Sequence, residues 1–166
     1  MPTTTAPHPI AAPLYMTFST NDSLLTRAFD GVTEADLWRR PLPNTNPMLW
    51  IAGHVVQTRA FALKILGEPF DTGWGDLFNR GVALHDDGRY PLRTTVERVG
   101  RDVGHRLLAR IASRDEQQLT SPLQNPVGPG VQTLADQIAF FALHESYHMG
   151  QLGYIRKALG YSQLVG

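Results

Sequence analysis

Four stretches of the chain repeat apolar residues at the three- and four-residue spacing of an amphipathic helix. The first runs from Leu14 to Asp30, with Leu14, Phe18, Leu25, Ala28 and Phe29 on its stripe, and stops at Gly31. The second runs from Pro47 to Leu66 and closes at Gly67; its stripe reads Leu49/Ile51, His54-Val55, Thr58, Phe61-Ala62 and Ile65. Asn46 suits an N-cap ahead of Pro47 at the first helical position. The third, Thr94 to Ser113, carries Val96, Val99, Val103, Leu107, Leu108 and Ile111. The fourth and longest spans Val131 to Leu159 and stops at Gly160. Two short pieces accompany them. Thr33 caps a helix through Leu37 and Trp38 that ends before Pro41, and Asp115 to Leu119 predicts a turn. No apolar–polar alternation is long enough to build a sheet, so the expectation is an all-α four-helix bundle.

The connections are uneven. Residues 1–13 are rich in Pro and Thr without periodicity and read as a flexible N-terminal tail, leaving residues 14–166 as a single domain. Residues 41–47 form a Pro-rich connector, and residues 121–130 a loop broken by Pro, Gly and Asn. Residues 68–92, between the second and third helices, are far longer than a usual bundle connection. They carry Phe70, Trp74, Leu77, Phe78 and Tyr90, enough apolar anchors for an ordered crossover that walls a site. Gly100 and Gly104 weaken the third helix by roughly 1 kcal/mol each relative to Ala, and their spacing predicts close approach of another helix.

Composition narrows the chemistry. The chain has 166 residues, 15 Lys and Arg against 15 Asp and Glu, and no cysteine. The absence of thiols removes disulfides, thiolate metal sites and cysteine nucleophiles, and fits a reducing, cytoplasmic setting. Zero formal net charge gives no footprint for nucleic acid, and Arg98, Arg101, Arg106 and Arg110 read as a solvated helix face. No run is long and apolar enough to span a membrane, and no signal-peptide pattern opens the chain.

Histidine is where the pattern departs from a plain bundle. His144 and His148 stand four apart on the fourth helix, so one face carries both imidazoles, along an apolar line through Phe141, Leu152 and Ile155. His54 lies on the apolar stripe of the second helix. Three imidazoles from two helices make a tri-histidine metal site with positions left open. His144-Glu145-Ser146-Tyr147-His148 also matches H-E-x-x-H, the zincin protease signature with Glu145 as general base. The segment from Met149 to Gly166 contains no His, Asp or Glu to supply the downstream ligand of the common zincin type, which disfavours that reading. His85 beside Asp86 and Asp87 is a weaker metal candidate, His8 belongs to the tail, and His105 lies off its helix's stripe and faces solvent. Gln57 and Gln151, each three residues after a histidine, are candidates to orient the ligands or act in catalysis, as are Glu145 and Tyr147 flanking the pair. Trp50, Trp74 and Arg59 are candidates to line the pocket.

The segment HESYHMGQLGYIRKALG, preceded by MLWIAGHVVQTRAFALKILG, resembles the DinB/YfiT-like family of metalloenzymes over nearly the whole chain. The resemblance implies a bundle in up-down-down-up order with a long crossover between helices 2 and 3. It implies metal ligation by His54, His144 and His148, one divalent ion, zinc or nickel, and commonly a homodimer. It further implies, for some relatives, thiol-dependent transfer or isomerisation using a low-molecular-weight thiol. The expected activity is therefore a metal-dependent S-transferase or hydrolase acting on a small molecule, with a non-catalytic metal-binding or stress-associated module as the alternative. A third reading, a helical dimerisation domain without metal, leaves three core histidines unexplained.

Overall fold

The structure, a computed structural model, describes residues 6–85 and 88–165. Six helices follow one another: α1 (Ala12–Arg27), α2 (Glu34–Leu37), α3 (Met48–Ile65), α4 (Arg93–Ala112), α5 (Glu116–Leu119) and α6 (Leu134–Ala158). Among the described residues the only extended pairing is an isolated bridge between Pro122 and Thr133. The four long helices lie close to their expected spans, and the shifts at their ends have local causes. α1 begins at Ala12, because the carbonyl of His8 accepts from the amides of Ala11 and Ala12 and starts the turn two residues earlier than the stripe suggests. The N-cap of α3 is Pro47 and makes no side-chain bond, so the capping expected of Asn46 is not formed. α6 starts where Thr133 and Asp136 close a reciprocal capping box, three residues inside the expected start. Thr33 caps α2 as expected, accepting from the Asp36 amide.

Contacts between the helices give their order and sense. Val56 faces Gly100, Arg59 faces Gly104 and Leu66 accepts from Arg110, so α3 and α4 run parallel. Asn21 meets Ser146 and Ala28 meets Arg156, so α1 and α6 run parallel to each other. Phe61 against Phe141 and Arg59 against Glu145 set α3 antiparallel to α6. α1 therefore packs beside α4 and α6, and α3 packs on both of the same two helices from the opposite side.

The two glycines of α4 explain how closely it lies. A Cβ on Gly100 would stand 3.1 Å from Val56 Cγ2, and one on Gly104 would stand 2.7 Å from both Arg59 Nη1 and Asp22 Oδ1. α3 is buried on nearly all sides, from Met48 through Leu63, because neighbours flank it on both sides. The exception corrects the sequence reading. Phe61, expected in the core, is 43% exposed at the seam with α6, its ring edge meeting Phe141. The core is mostly apolar, with Phe29, Met48, Ile51, Leu63, Phe78, Leu107, Ile111 and Leu152 among its most deeply buried side chains, and it also encloses Asn21, Arg59, Gln137, Glu145 and Arg156.

Candidate metal centre

His54 reaches the centre from the second turn of α3, and His144 and His148 from successive turns of α6. Because α3 and α6 are antiparallel and adjacent, the three rings meet although His54 and His144 are 90 residues apart. His144 Nε2 lies 3.2 Å from His54 Nε2 and 3.1 Å from His148 Nε2. Each histidine offers one ligand atom, and all three atoms fall within 4.8 Å of one another. Trp50 stacks on His54 with 7° between the ring planes and 5.2 Å between centroids, which fixes the plane of that imidazole.

The hydrogen bonds behind the rings decide which nitrogens point inward. His54 Nδ1–H donates to the carbonyl of Phe78 at 2.7 Å, and a carbonyl can only accept. His148 Nδ1–H donates to Gln151 Oε1 at 2.7 Å, while Gln151 Nε2 donates to the Tyr147 hydroxyl at 3.2 Å. Both imidazoles are thereby held in the tautomer that leaves Nε2 bare. His144 Nδ1 is buried and has no partner. A proton on His144 Nε2 could serve only one of the two bare nitrogens that face it. Burial pushes all three imidazoles towards the neutral form. It acts on His144 first, with His148 and His54 adding repulsion, and lowers its pKa to about 4. Burial also lowers the pKa of His54 against the opposing bond to Phe78, and that of His148 against the bond to Gln151. Neutral imidazoles with converging Nε2 lone pairs are the donor set a divalent cation takes. By that observation these residues fit a metal.

The other candidates fall in different places. Gln151 and Tyr147 lie beside the centre, as just described. Tyr147 is 63% exposed and, with Gln151, Ser146 and Tyr154, lines a hollow of about 540 Å³ against Asn44 to Asn46. Gln57 faces the crossover, donating to the Gly75 carbonyl at 2.7 Å and Asn79 Oδ1 at 2.8 Å. Glu145 points away from the three rings, since consecutive helical residues are about 100° apart. It is buried in a two-pronged pair with Arg59, at 2.9 Å to Nε and 2.7 Å to Nη2. Arg59 is 2% exposed, so it belongs to the core and does not line a pocket. Burial opposes its charge, but Glu145 and then Asp22 outweigh that and hold its pKa above the ordinary value. A carboxylate so engaged is not placed as the general base of a zincin, and the protease reading fails on geometry as well as on the missing downstream ligand. Trp74 is buried against Phe78, one layer behind His54. His85 stands near Tyr90, while Asp86 and Asp87 lie outside the described residues. His105 is exposed on α4, as expected.

The carbonyl of Phe78 was not legible in the sequence, because any residue supplies a carbonyl. The one hint is Gly53, a glycine inside a helix immediately before His54. A Cβ there would lie 2.2 Å from the Phe78 ring. Compared with curated proteins, the chain finds no match. Residues 17–152 match the family model described as the DinB superfamily, a span that takes in most of α1, all of α2 to α5, most of α6 and all three histidines. With that match over most of its length, the chain belongs to the DinB superfamily.

Proposed function

We propose that this protein binds one divalent metal ion, zinc or nickel, through His54, His144 and His148, and uses it in a thiol-dependent transfer or a hydrolysis on a small molecule. The observation that carries the reading is the convergence of three neutral imidazoles whose ligand atoms lie within 4.8 Å. Bound there, a divalent ion supplies a positive charge that lowers the pKa of a thiol or a water at an open position. Among the described residues the group has three protein ligands and no fourth, and catalytic sites of this kind keep such a position free. The absence of cysteine in the chain means that a reacting thiol comes from the ligand.

The protein's own residues have definable parts. Trp50 and the Phe78 carbonyl hold His54, and Gln151 holds His148. The Tyr147 hydroxyl, at the end of the Gln151 bridge and mostly exposed, is placed to meet a small molecule lodged in the adjoining hollow. Asn44, Thr45, Asn46, Ser146 and Gln151 give that hollow amide and hydroxyl groups, and Ile51 and Ile155 give it an apolar floor.

Elemental analysis tests the metal: about one divalent ion per chain is expected after loading with zinc or nickel, and none in either case overturns the site. Chemistry is tested by titrating small thiols onto the cobalt-substituted protein. A thiolate-to-cobalt absorption band supports an open position. A spectrum insensitive to every thiol and to azide favours an ion that only ties α3 to α6.

A further inference from the structure

We infer that Phe78 is a positioning residue for the metal centre, and that docking of the 74–79 part of the crossover and metal binding strengthen each other; this rests on the metal-binding reading above. Three independent contacts join that segment to the helix turn that carries His54. The Phe78 carbonyl accepts from His54 Nδ1 at 2.7 Å. The Phe78 ring is fully buried and fills the space that a side chain at position 53 would occupy, with Cε1 2.2 Å from where a Cβ would stand. Gln57, one turn on from His54, donates to the Gly75 carbonyl and to Asn79 Oδ1. Trp74 closes the segment over Phe78, at 5.2 Å between ring centroids.

His54 is the ligand for which this matters. The partner of His148 is Gln151, on the same helix, and moves with it. His144 has no partner at Nδ1. His54 alone is aimed by a remote stretch of chain, 24 residues further on. Stacking on Trp50 sets the plane of its ring, but a ring can still flip by half a turn within that plane, which puts carbons where the nitrogens stood, or carry its proton on Nε2. The Phe78 carbonyl removes that freedom by holding Nδ1–H, which keeps the bare Nε2 towards His144 and His148. Any ion that selects this arrangement must also favour the docked segment, and by linkage the docked segment favours the ion by the same factor.

The test uses zinc alone on the full chain, with affinity read by competition against a chromophoric chelator. Gly53→Ala puts a methyl group where the Phe78 ring lies, and it weakens zinc binding about 10- to 100-fold, the range seen when partners of metal ligands are lost. Alanine is the better helix former, so that loss is not explained by fraying of α3. Phe78→Ala behaves the same way, and Phe78→Leu, which restores part of the buried bulk, recovers much of the affinity. Leu119→Ala, in the buried side of α5 and remote from the histidines, serves as the control for general loss of stability and leaves zinc affinity within about twofold, as independent sites do. In the unmodified protein, zinc slows amide hydrogen exchange in a peptide covering residues 74–79, which needs no variant to fold. If that protein binds zinc while Gly53→Ala and Phe78→Ala bind it equally well, or exchange at 74–79 ignores zinc, the coupling is wrong and the metal site stands. A protein that binds neither zinc nor nickel overturns both.

Discussion

Two of the three histidines are held by different partners, His54 by the Phe78 carbonyl and His148 by Gln151, and that makes single substitutions informative. His148→Ala removes one of the three imidazoles proposed to hold the ion, and zinc binding measured by chelator competition is expected to be lost. His105→Ala, on the exposed side of α4, is expected to change nothing. Gln151→Ala leaves His148 Nδ1 without its acceptor and should cost about 10- to 100-fold in zinc affinity, whereas Gln151→Glu keeps an acceptor and should retain most of it. Glu145 makes the opposite point. It sits within the motif that suggests a protease, yet its carboxylate neutralises a buried arginine. Glu145→Gln leaves Arg59 charged and underpaired in the core, and chemical denaturation should show a loss of about 3–5 kcal/mol. Replacing the pair together, Arg59→Met with Glu145→Leu, should recover most of that loss. The spacing of His144 and His148 was legible because one helix face carries both. The direction of Glu145 was not, because a motif says nothing about what stands on the helix's other side.

At the scale of elements, the bundle is closed by small residues and by the ends of helices. Gly104 is where α4 meets both Arg59 of α3 and Asp22 of α1. Gly104→Ala drives a methyl group into that ion pair, and the clash should outweigh the gain in helix propensity, with a net loss of about 1–3 kcal/mol in a urea titration. The glycine spacing announced a close approach, but only the packed structure shows that a buried arginine occupies it. The short helix α2 is joined to the C-terminal segment through Asp36, whose carboxylate accepts from the Tyr161 hydroxyl at 2.5 Å and from Arg39 and Thr33. Tyr161, then Arg39 and Thr33, lower its pKa to about 2. A carboxyl lowered on folding adds stability above its unfolded value near 3.8 and loses it as pH falls towards 2. The difference in urea midpoint between the unmodified protein and Asp36→Asn should therefore shrink between pH 4 and pH 2. A constant difference across that range would remove Asp36 from the acid response.

For the whole molecule, the three-histidine group joins α3 and α6 and, through Phe78, the crossover that leads from α3 to α4. Anything that binds the folded form alone raises its stability, by about 2.7 kcal/mol at a hundred times the dissociation constant. Added zinc is expected to raise the melting temperature of the unmodified protein by several degrees and that of His148→Ala by none. The sequence by itself determined the helical class, the approximate helix spans, the cap at Thr33, the short turn from Asp115 to Leu119, and the i, i+4 pair on α6. These depend on residues within a turn or two of one another, where periodicity and side-chain chemistry suffice. The capping box at Asp115, in a stretch read only as a turn, came with the structure. Tertiary structure decided what periodicity cannot carry. It brought His54 to the pair across 90 residues, turned Glu145 to Arg59, and exposed Phe61 at a seam read as core. It also supplied the acceptor for His54 from a backbone carbonyl, a group present at every residue and so invisible in the sequence. His144 and His148 are a chelating pair by local geometry, and they become a three-ligand centre only through the antiparallel packing of α3 on α6.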